Sequence, residues 1–205
     1  TLASALLYQF KNIHLVGEEH RPGVVHRLDK DTSGIILVAM TQEMYGYLKD
    51  AFAERKVKKE YIALVYGLMK NKQGVIKTPM GKSKTDFRKQ TVKNPVEGKE
   101  TLTEYKVLEE LGQGVDKYSL ILVKLHTGRT HQIRVHLASI GHPLMGDELY
   151  GGKRIQLKGL TRQFRHAKKI EVQLPNGTWI EAESELAVDL KEVLIKLGCK
   201  AVKTL

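Results

Sequence analysis

Cysteine is nearly absent from this sequence, with Cys199 the one thiol in 205 residues. That excludes an internal disulfide framework and a zinc site built on cysteines. No apolar run is long enough to span a membrane as a helix, and no stretch has the pattern of a secretory signal. The cytoplasm is the expected compartment. Acidic residues are scarce: 23 against 34 lysines and arginines, for a formal net charge of +11 and a pI near 9.6. Such a balance selects polyanions as partners, RNA or DNA first, with a merely solvated basic surface as the plain alternative. Internal repeats, low-complexity tracts and linker-like segments are missing as well. At 41% hydrophobic and 28% charged, the chain has the material for one substantial core. The first residue is not methionine. Thr1-Leu2-Ala3-Ser4-Ala5-Leu6-Leu7 reads as a helix start inside a domain, so preceding sequence is expected.

What is present centres on residues 24–34, Val-Val-His-Arg-Leu-Asp-Lys-Asp-Thr-Ser-Gly. The flanking apolar residues predict a strand, a polar turn and a second strand through Ala39. Asp29, Asp31, Thr32 and Ser33 could all bond local backbone, and Gly34 can take positive φ. Periodicity predicts helices over residues 1–10, over 42–54 capped by Thr41, over a segment capped by Thr130 and ended by Gly141-His142-Pro143, and over 187–197. The stripe of Met44, Leu48, Ala51 and Phe52 reads as core rather than as a binding surface. Strands are predicted at 61–66, 74–77, 101–111 and 118–125, with a hairpin of 170–174 and 178–182 around Pro175-Asn176-Gly177. Residues 81–99 are rich in lysine and arginine and poor in apolar residues. They read as a basic loop or hairpin suited to phosphates, or as a solvated loop. Residues 144–163 read as loop-rich. Strands outnumber helices without βαβ alternation, which predicts an α+β domain with a mixed, largely antiparallel β-sheet.

Three polar features call for chemistry: Asp29 in its turn, Tyr61 at a strand start, and the cation-rich segment 126–136. If Arg134 faces Asp29, the pair would keep that carboxylate ionised in a partly buried cleft. His126, His131 and His136 recur at a spacing of five, which places His131 and His136 roughly 500° apart on a helix. That spacing does not make a zinc-hydrolase motif, and no metal ligands are expected. His26-Arg27-Leu28-Asp29 is broken by its leucine as a kinase catalytic loop, and no glycine-rich phosphate loop accompanies it.

The stretch His26-Arg27-Leu28-Asp29-Lys30-Asp31-Thr32-Ser33-Gly34 resembles the signature of the RluA/RluD-type pseudouridine synthases. Lys59-Glu60-Tyr61-Ile62-Ala63-Leu64-Val65 resembles the family's second motif. Thr127-Gly128-Arg129-Thr130-His131-Gln132-Ile133-Arg134-Val135-His136 resembles its third, followed by the family-like Gly141-His142-Pro143-Leu144 and Gly146-Asp147. Arg162-Gln163 and His166-Ala167 resemble a later element, whereas Glu185-Leu186-Ala187-Val188-Asp189 lacks a proline of the family pattern. The resemblance implies one catalytic domain over residues 1–205, without the family's first strands and without the S4-like RNA-binding domain that many members carry. It implies a pseudouridine synthase fold, with helices flanking the sheet and a central active-site cleft.

The activity so implied is isomerisation of uridine to pseudouridine in RNA, by a monomer that uses neither cofactor nor metal and binds no membrane. Large-subunit (23S) ribosomal RNA is the first expectation and transfer RNA the alternative. Asp29 matches the catalytic aspartate, Tyr61 the aromatic that packs on the target uracil, and Arg134 the arginine that pairs with the aspartate. Arg27 matches a position implicated in displacing the base. Lys82, Lys84, Arg88, Lys89, Arg129 and His131 are the expected RNA contacts. Two other readings compete, a non-catalytic RNA-binding module and a basic hydrolase that uses Asp29 with histidines.

Overall fold

The computed structural model describes every residue except Val115, and every side chain other than those of Lys153 and Arg154. Helix α1 (Leu2–Gln9) is capped by Thr1, whose Oγ1 accepts from the Ser4 amide. A two-stranded ribbon of β1 (Gly17–Glu18) and β2 (Arg21–Pro22) follows. Residues 24–38 do not form the expected strand–turn–strand. One bridge joins Val24 to Val38, and only β3 (Ser33–Gly34) enters the main sheet, parallel to a distant strand. The physical reason is that this loop's polar groups find long-range side-chain partners rather than a neighbouring strand.

Helix α2 (Gln42–Ala53) begins at Thr41, whose Oγ1 accepts from the Met44 amide, and leads to β4 (Lys58–Tyr66). The next strands outrun their sequence signals. β5 (Gln73–Lys82) is ten residues long, β6 (Gln90–Thr91) is a short side strand, and β7 (Val96–Gln113) spans eighteen. Their ladder turns most of the basic segment into a hairpin. β8 (Asp116–Leu125) then returns beside both β4 and β7.

Helix α3 (Gln132–Ser139) starts one residue later than the Thr130 cap predicts. Its N-cap residue is His131, at φ 59° and with no side-chain cap bond. The side chain of Gln132 instead ties down the loop before the helix, with Oε1 accepting from the Arg129 amide and from the Thr127 hydroxyl. Residues 144–163 hold α4 (Glu148–Gly151) and a 3₁₀ turn at Gly152–Ile155. The hairpin of β9 (Arg165–Gln173) and β10 (Trp179–Glu183) has its strand starting at Arg165, five residues before the apolar alternation suggests. Helix α5 (Val188–Lys196) and a final 3₁₀ turn at Ala201–Thr204 complete the chain.

The sheet runs β10-β9-β4-β8-β7-β5-β6, with every neighbouring pair along this path antiparallel. Side chains alternate across a strand, and β4 uses both faces. Ile62 and Leu64 pack with Phe164, Leu190 and Leu194 beneath α5. Tyr61, Ala63 and Val65 pack with Ile133 and Leu137 of α3 on the other face. A third cluster packs α2 and Ile13 against Ile170 and Val172 of β9. The mixed α+β fold with a largely antiparallel sheet is thus what the chain adopts.

Gly34 is where the signature loop meets this frame. Its φ is 108°, and a methyl group there would sit 2.2 Å from the Ala167 carbonyl oxygen. Gly34→Ala should therefore cost about 1–3 kcal/mol or more. The melting temperature should fall by at least ~2–4 °C, as expected for a domain of this size. An unchanged melting curve would show that β3 is not a strained anchor.

Candidate active site

On the α3 side of the sheet lies a cleft of about 430 Å³. Its wall is made by residues 25–29, the end of α2, residues 125–130 and the side chains of Lys59, Tyr61 and Arg165. The signature loop that carries Asp29 is held from β9 and the segment before it. Arg165 Nε and Nη2 donate to Thr32 Oγ1 at 3.1 and 2.5 Å. Gln163 Nε2 donates to the Lys30 carbonyl at 2.9 Å, and Arg162 Nη1 donates to the Asp31 carbonyl at 2.8 Å. On the other side, His26 stacks on Phe52 and its Nε2 accepts from the Leu37 amide. Burial and the nearby Lys59 push His26 down to about 4, so it is neutral and free to accept that bond.

Asp29 sits inside this brace, with its side chain 10% exposed. Its short ion pair is to Arg165, at 2.8 Å between Oδ2 and Nη2. Arg134, the partner expected from the sequence, stands at 4.0 Å. The Arg165 contact is close but not aligned as a hydrogen bond, and Arg165 Nε and Nη2 donate to Thr32. Oδ2 is buried without an aligned donor. Burial alone would raise the Asp29 carboxyl, yet Arg165, with smaller contributions from His131 and Arg134, outweighs it and holds the group below its ordinary value. His131 is itself pushed down by burial and by Arg134, so at neutral pH the arginines supply the charge.

Arg134 makes its own fork to Asp147 instead. Nε and Nη2 each donate to a carboxylate oxygen at 2.7 Å, and the Asp147 side chain is wholly buried. This planar bidentate pair fixes α3 against the start of α4. Asp147 also caps α4 by accepting from the Tyr150 amide. The Tyr150 ring lies 5.0 Å from the Arg134 guanidinium. Tyr150 Oη accepts from the Gln90 amide at 2.9 Å and lies 2.8 Å from His131 Nδ1. Tyr150 thus joins the β6 backbone to the His131 ring at the start of α3. The three evenly spaced histidines have separate partners: His126 meets Glu104, His131 meets Tyr150 and His136 meets Thr101.

Tyr61 is buried on β4, immediately after a register shift against β9. That register sets Arg165 opposite Ala63, on the same face as Tyr61. The Arg165 guanidinium accordingly lies 6.0 Å from the Tyr61 ring centroid. Arg27 lines the cleft, exposed, and is in no ion pair among the described residues. Arg129 is also on the cleft wall, whereas His131 points into the Tyr150 cluster. Lys82, Lys84, Arg88 and Lys89 are on the β5–β6 hairpin, outside the residues that line the cleft. Arg88 is held by Asp86 through two bonds of 3.0 and 2.9 Å.

Sequence reasoning missed Arg165, Asp147 and Lys59. Arg165 lies between two residues that resemble a family element, and Asp147 lies inside another. Lys59 opens the Tyr61 motif, and burial in the cleft lowers its ammonium.

An antiparallel sheet with an arginine-bound carboxylate at the base of a basic cleft defines a class of protein built for chemistry on a polyanion. Comparison with known proteins is specific. The family model described as RNA pseudouridylate synthase matches residues 8–139. An uncharacterized RNA pseudouridine synthase of Chloroflexus aurantiacus is 40% identical over 98% of this chain and 61% of its own length. Ribosomal large subunit pseudouridine synthase D of Haemophilus ducreyi is 36% identical over 95% of this chain and 60% of its own. The solved structure of human RNA pseudouridylate synthase domain containing 1 superposes with a TM-score of 0.80 at 29% identity, covering 94% of this chain and 78% of that one. The chain belongs to the RNA pseudouridylate synthase family. It spans about three fifths of the length of these two curated relatives.

The charge balance at Asp29 yields a test. Arg165→Met removes the main cation and leaves burial dominant, so the Asp29 carboxyl should titrate at higher pH than in the wild type. Arg165→Lys should move it less, and Arg134→Lys less than Arg165→Met. Carbon-detected NMR titration of the Asp29 carboxyl measures all three. No upward movement in Arg165→Met would remove Arg165 as the controlling charge.

Proposed function

We propose that this cleft isomerises uridine to pseudouridine in RNA, with large-subunit ribosomal RNA as the substrate. The observation that carries the reading is the ionised Asp29, paired with Arg165 beside the Tyr61 ring, in a cleft that also presents Arg27 and Arg129. The ribosomal assignment is supported by the similarity to the Haemophilus ducreyi protein.

The chemistry follows from the bonds that change. The N1–C1′ bond breaks, the uracil turns, and C5 bonds to C1′. The C5 proton is lost and N1 gains one, so the net reaction is an isomerisation. A stacked uridine is out of reach, so the nucleotide must leave the stack and enter the cleft. Asp29 then faces the sugar as an anion. It either stabilises or captures positive charge developing at C1′, or removes a ribose proton. Arg165, in contact with the buried Oδ2, keeps the carboxylate charged at neutral pH. The Tyr61 ring packs on the uracil, and the apolar wall under it excludes water while the base is free to turn. Arg27, exposed at the cleft and without a carboxylate partner among the described residues, takes the place of the departed base. Arg134 acts at one remove, since its fork to Asp147 sets the position of α3.

Asp29→Asn keeps the size and polarity of the side chain and removes its charge. It should fold normally, bind RNA, and form no pseudouridine in a single-turnover assay. Turnover near the wild-type rate would end the mechanism. Pseudouridine mapping in cells lacking the gene should show one or a few uridines of the large-subunit RNA left unmodified. Their appearance in transfer RNA would reassign the substrate.

RNA binding should be dominated by phosphate contacts. If Lys82, Lys84, Lys89 and Arg129 each neutralise one phosphate, log K against log salt should slope at about −3. Changing the three lysines to glutamine should flatten it by about 2. Arg88→Gln should do less, because its charge is already balanced by Asp86. An unchanged slope in the triple variant would return the hairpin to a solvated role.

A further inference from the structure

Phe87 is 89% exposed, in a turn whose surroundings are cationic. An isolated exposed apolar side chain needs no explanation by itself. The turn that carries it does, because its hydrogen bonds are spent on holding one shape. The Ser83 amide donates to the Lys89 carbonyl at 3.0 Å, and the Lys89 amide donates to the Asp86 carbonyl at 2.9 Å. Ser83 Oγ accepts from the Thr85 and Asp86 amides at 3.2 and 3.3 Å. Asp86 Oδ1 accepts from the Arg88 amide, and the same carboxylate grips the Arg88 guanidinium. The turn is therefore ordered before any partner arrives, and its ring faces solvent in a segment that also carries Lys82, Lys84 and Lys89.

The turn also has a fixed place relative to the cleft. The residue that leaves it, Gln90, is bonded through its amide to Tyr150, which in turn bonds His131 at the start of α3 and covers Arg134. A rigid aromatic ring among lysines matches one chemistry, a nucleobase whose flanking phosphates meet the cations. We infer that Phe87 is a stacking platform for an unpaired base of the RNA, a second base-recognition point outside the cleft that holds the target uridine. This rests on RNA being the ligand and adds where a second nucleotide is gripped.

The probe is a hairpin RNA whose single-stranded loop contains uridine. Base–aromatic stacking of about 1–3 kcal/mol corresponds to roughly 5–150-fold in affinity. Phe87→Ala should weaken binding within that range, and Phe87→Trp should retain it. The salt slope should stay that of the wild type, because a ring releases no counterions. The single-turnover rate at saturating RNA should also be unchanged. An exposed ring packs on nothing, so the melting temperature should hold and folding does not confound the result. Replacing the loop nucleotides one at a time by abasic sites identifies the partner. At one position the abasic change and Phe87→Ala should fail to add, while elsewhere they should add. Wild-type affinity in Phe87→Ala, or additivity at every position, would overturn the platform. Failure of the catalytic reading is a separate result: RNA bound through Phe87 while the wild type makes no pseudouridine.

Discussion

An anionic carboxylate placed out of water is costly unless a cation meets it. The Asp29–Arg165 pair meets that constraint, and much of the molecule is arranged to maintain it. Arg165 opens β9, so its position depends on the pairing of β9 with β4. Asp29 hangs in a loop without regular structure, so its position depends on Arg162, Gln163 and Arg165 bonding to the Asp31 carbonyl, the Lys30 carbonyl and Thr32. One strand end thus supplies both the counter-charge and the scaffold. Losing either would leave a buried charge unpaired, which is more damaging than never having had the pair.

Around this pair stand two further arginine arrangements with different tasks. Arg134 is committed to Asp147 in a fork of two 2.7 Å bonds, the geometry of a structural clamp. Its effect on Asp29 travels across 4.0 Å as charge alone. Arg162 ties α5 to the signature loop, bonding Asp189 at 2.7 Å as well as Ser33. Arg27 and Arg129 have neither duty and face the cleft. The cations around the cleft are thus divided between those bonded within the protein and those that face the open cleft. Net charge does not reveal that division.

The long β5–β7 hairpin extends the same logic away from the cleft. Its ladder carries basic side chains outward, and its side strand is pinned to α3 through Gln90 and Tyr150. The half-buried Tyr150 thereby fixes the place of the hairpin relative to the cleft.

Much of this was legible in sequence order. The helix at 42–54 and the strand at 118–125 are patterned locally, and both appear close to their predicted bounds. The signature at 24–34, the Tyr61 strand and the segment around Arg134 were each visible as unusual, and the basic charge pointed to a polyanion. What the residues could not disclose is which arginine meets Asp29. Arg134 and Arg165 are both preceded by plausible motifs, and neither lies near Asp29 in the chain; the bond from Arg165 to Thr32 alone closes 133 residues. The choice is made by the register of β9 on β4, shifted once at Glu60 and Tyr61, and by the buried Asp147 that takes up the Arg134 fork first. Periodicity and propensity act within a few residues and therefore determine elements and faces. An ion pair depends on ångström distances between elements, which only the packed sheet sets.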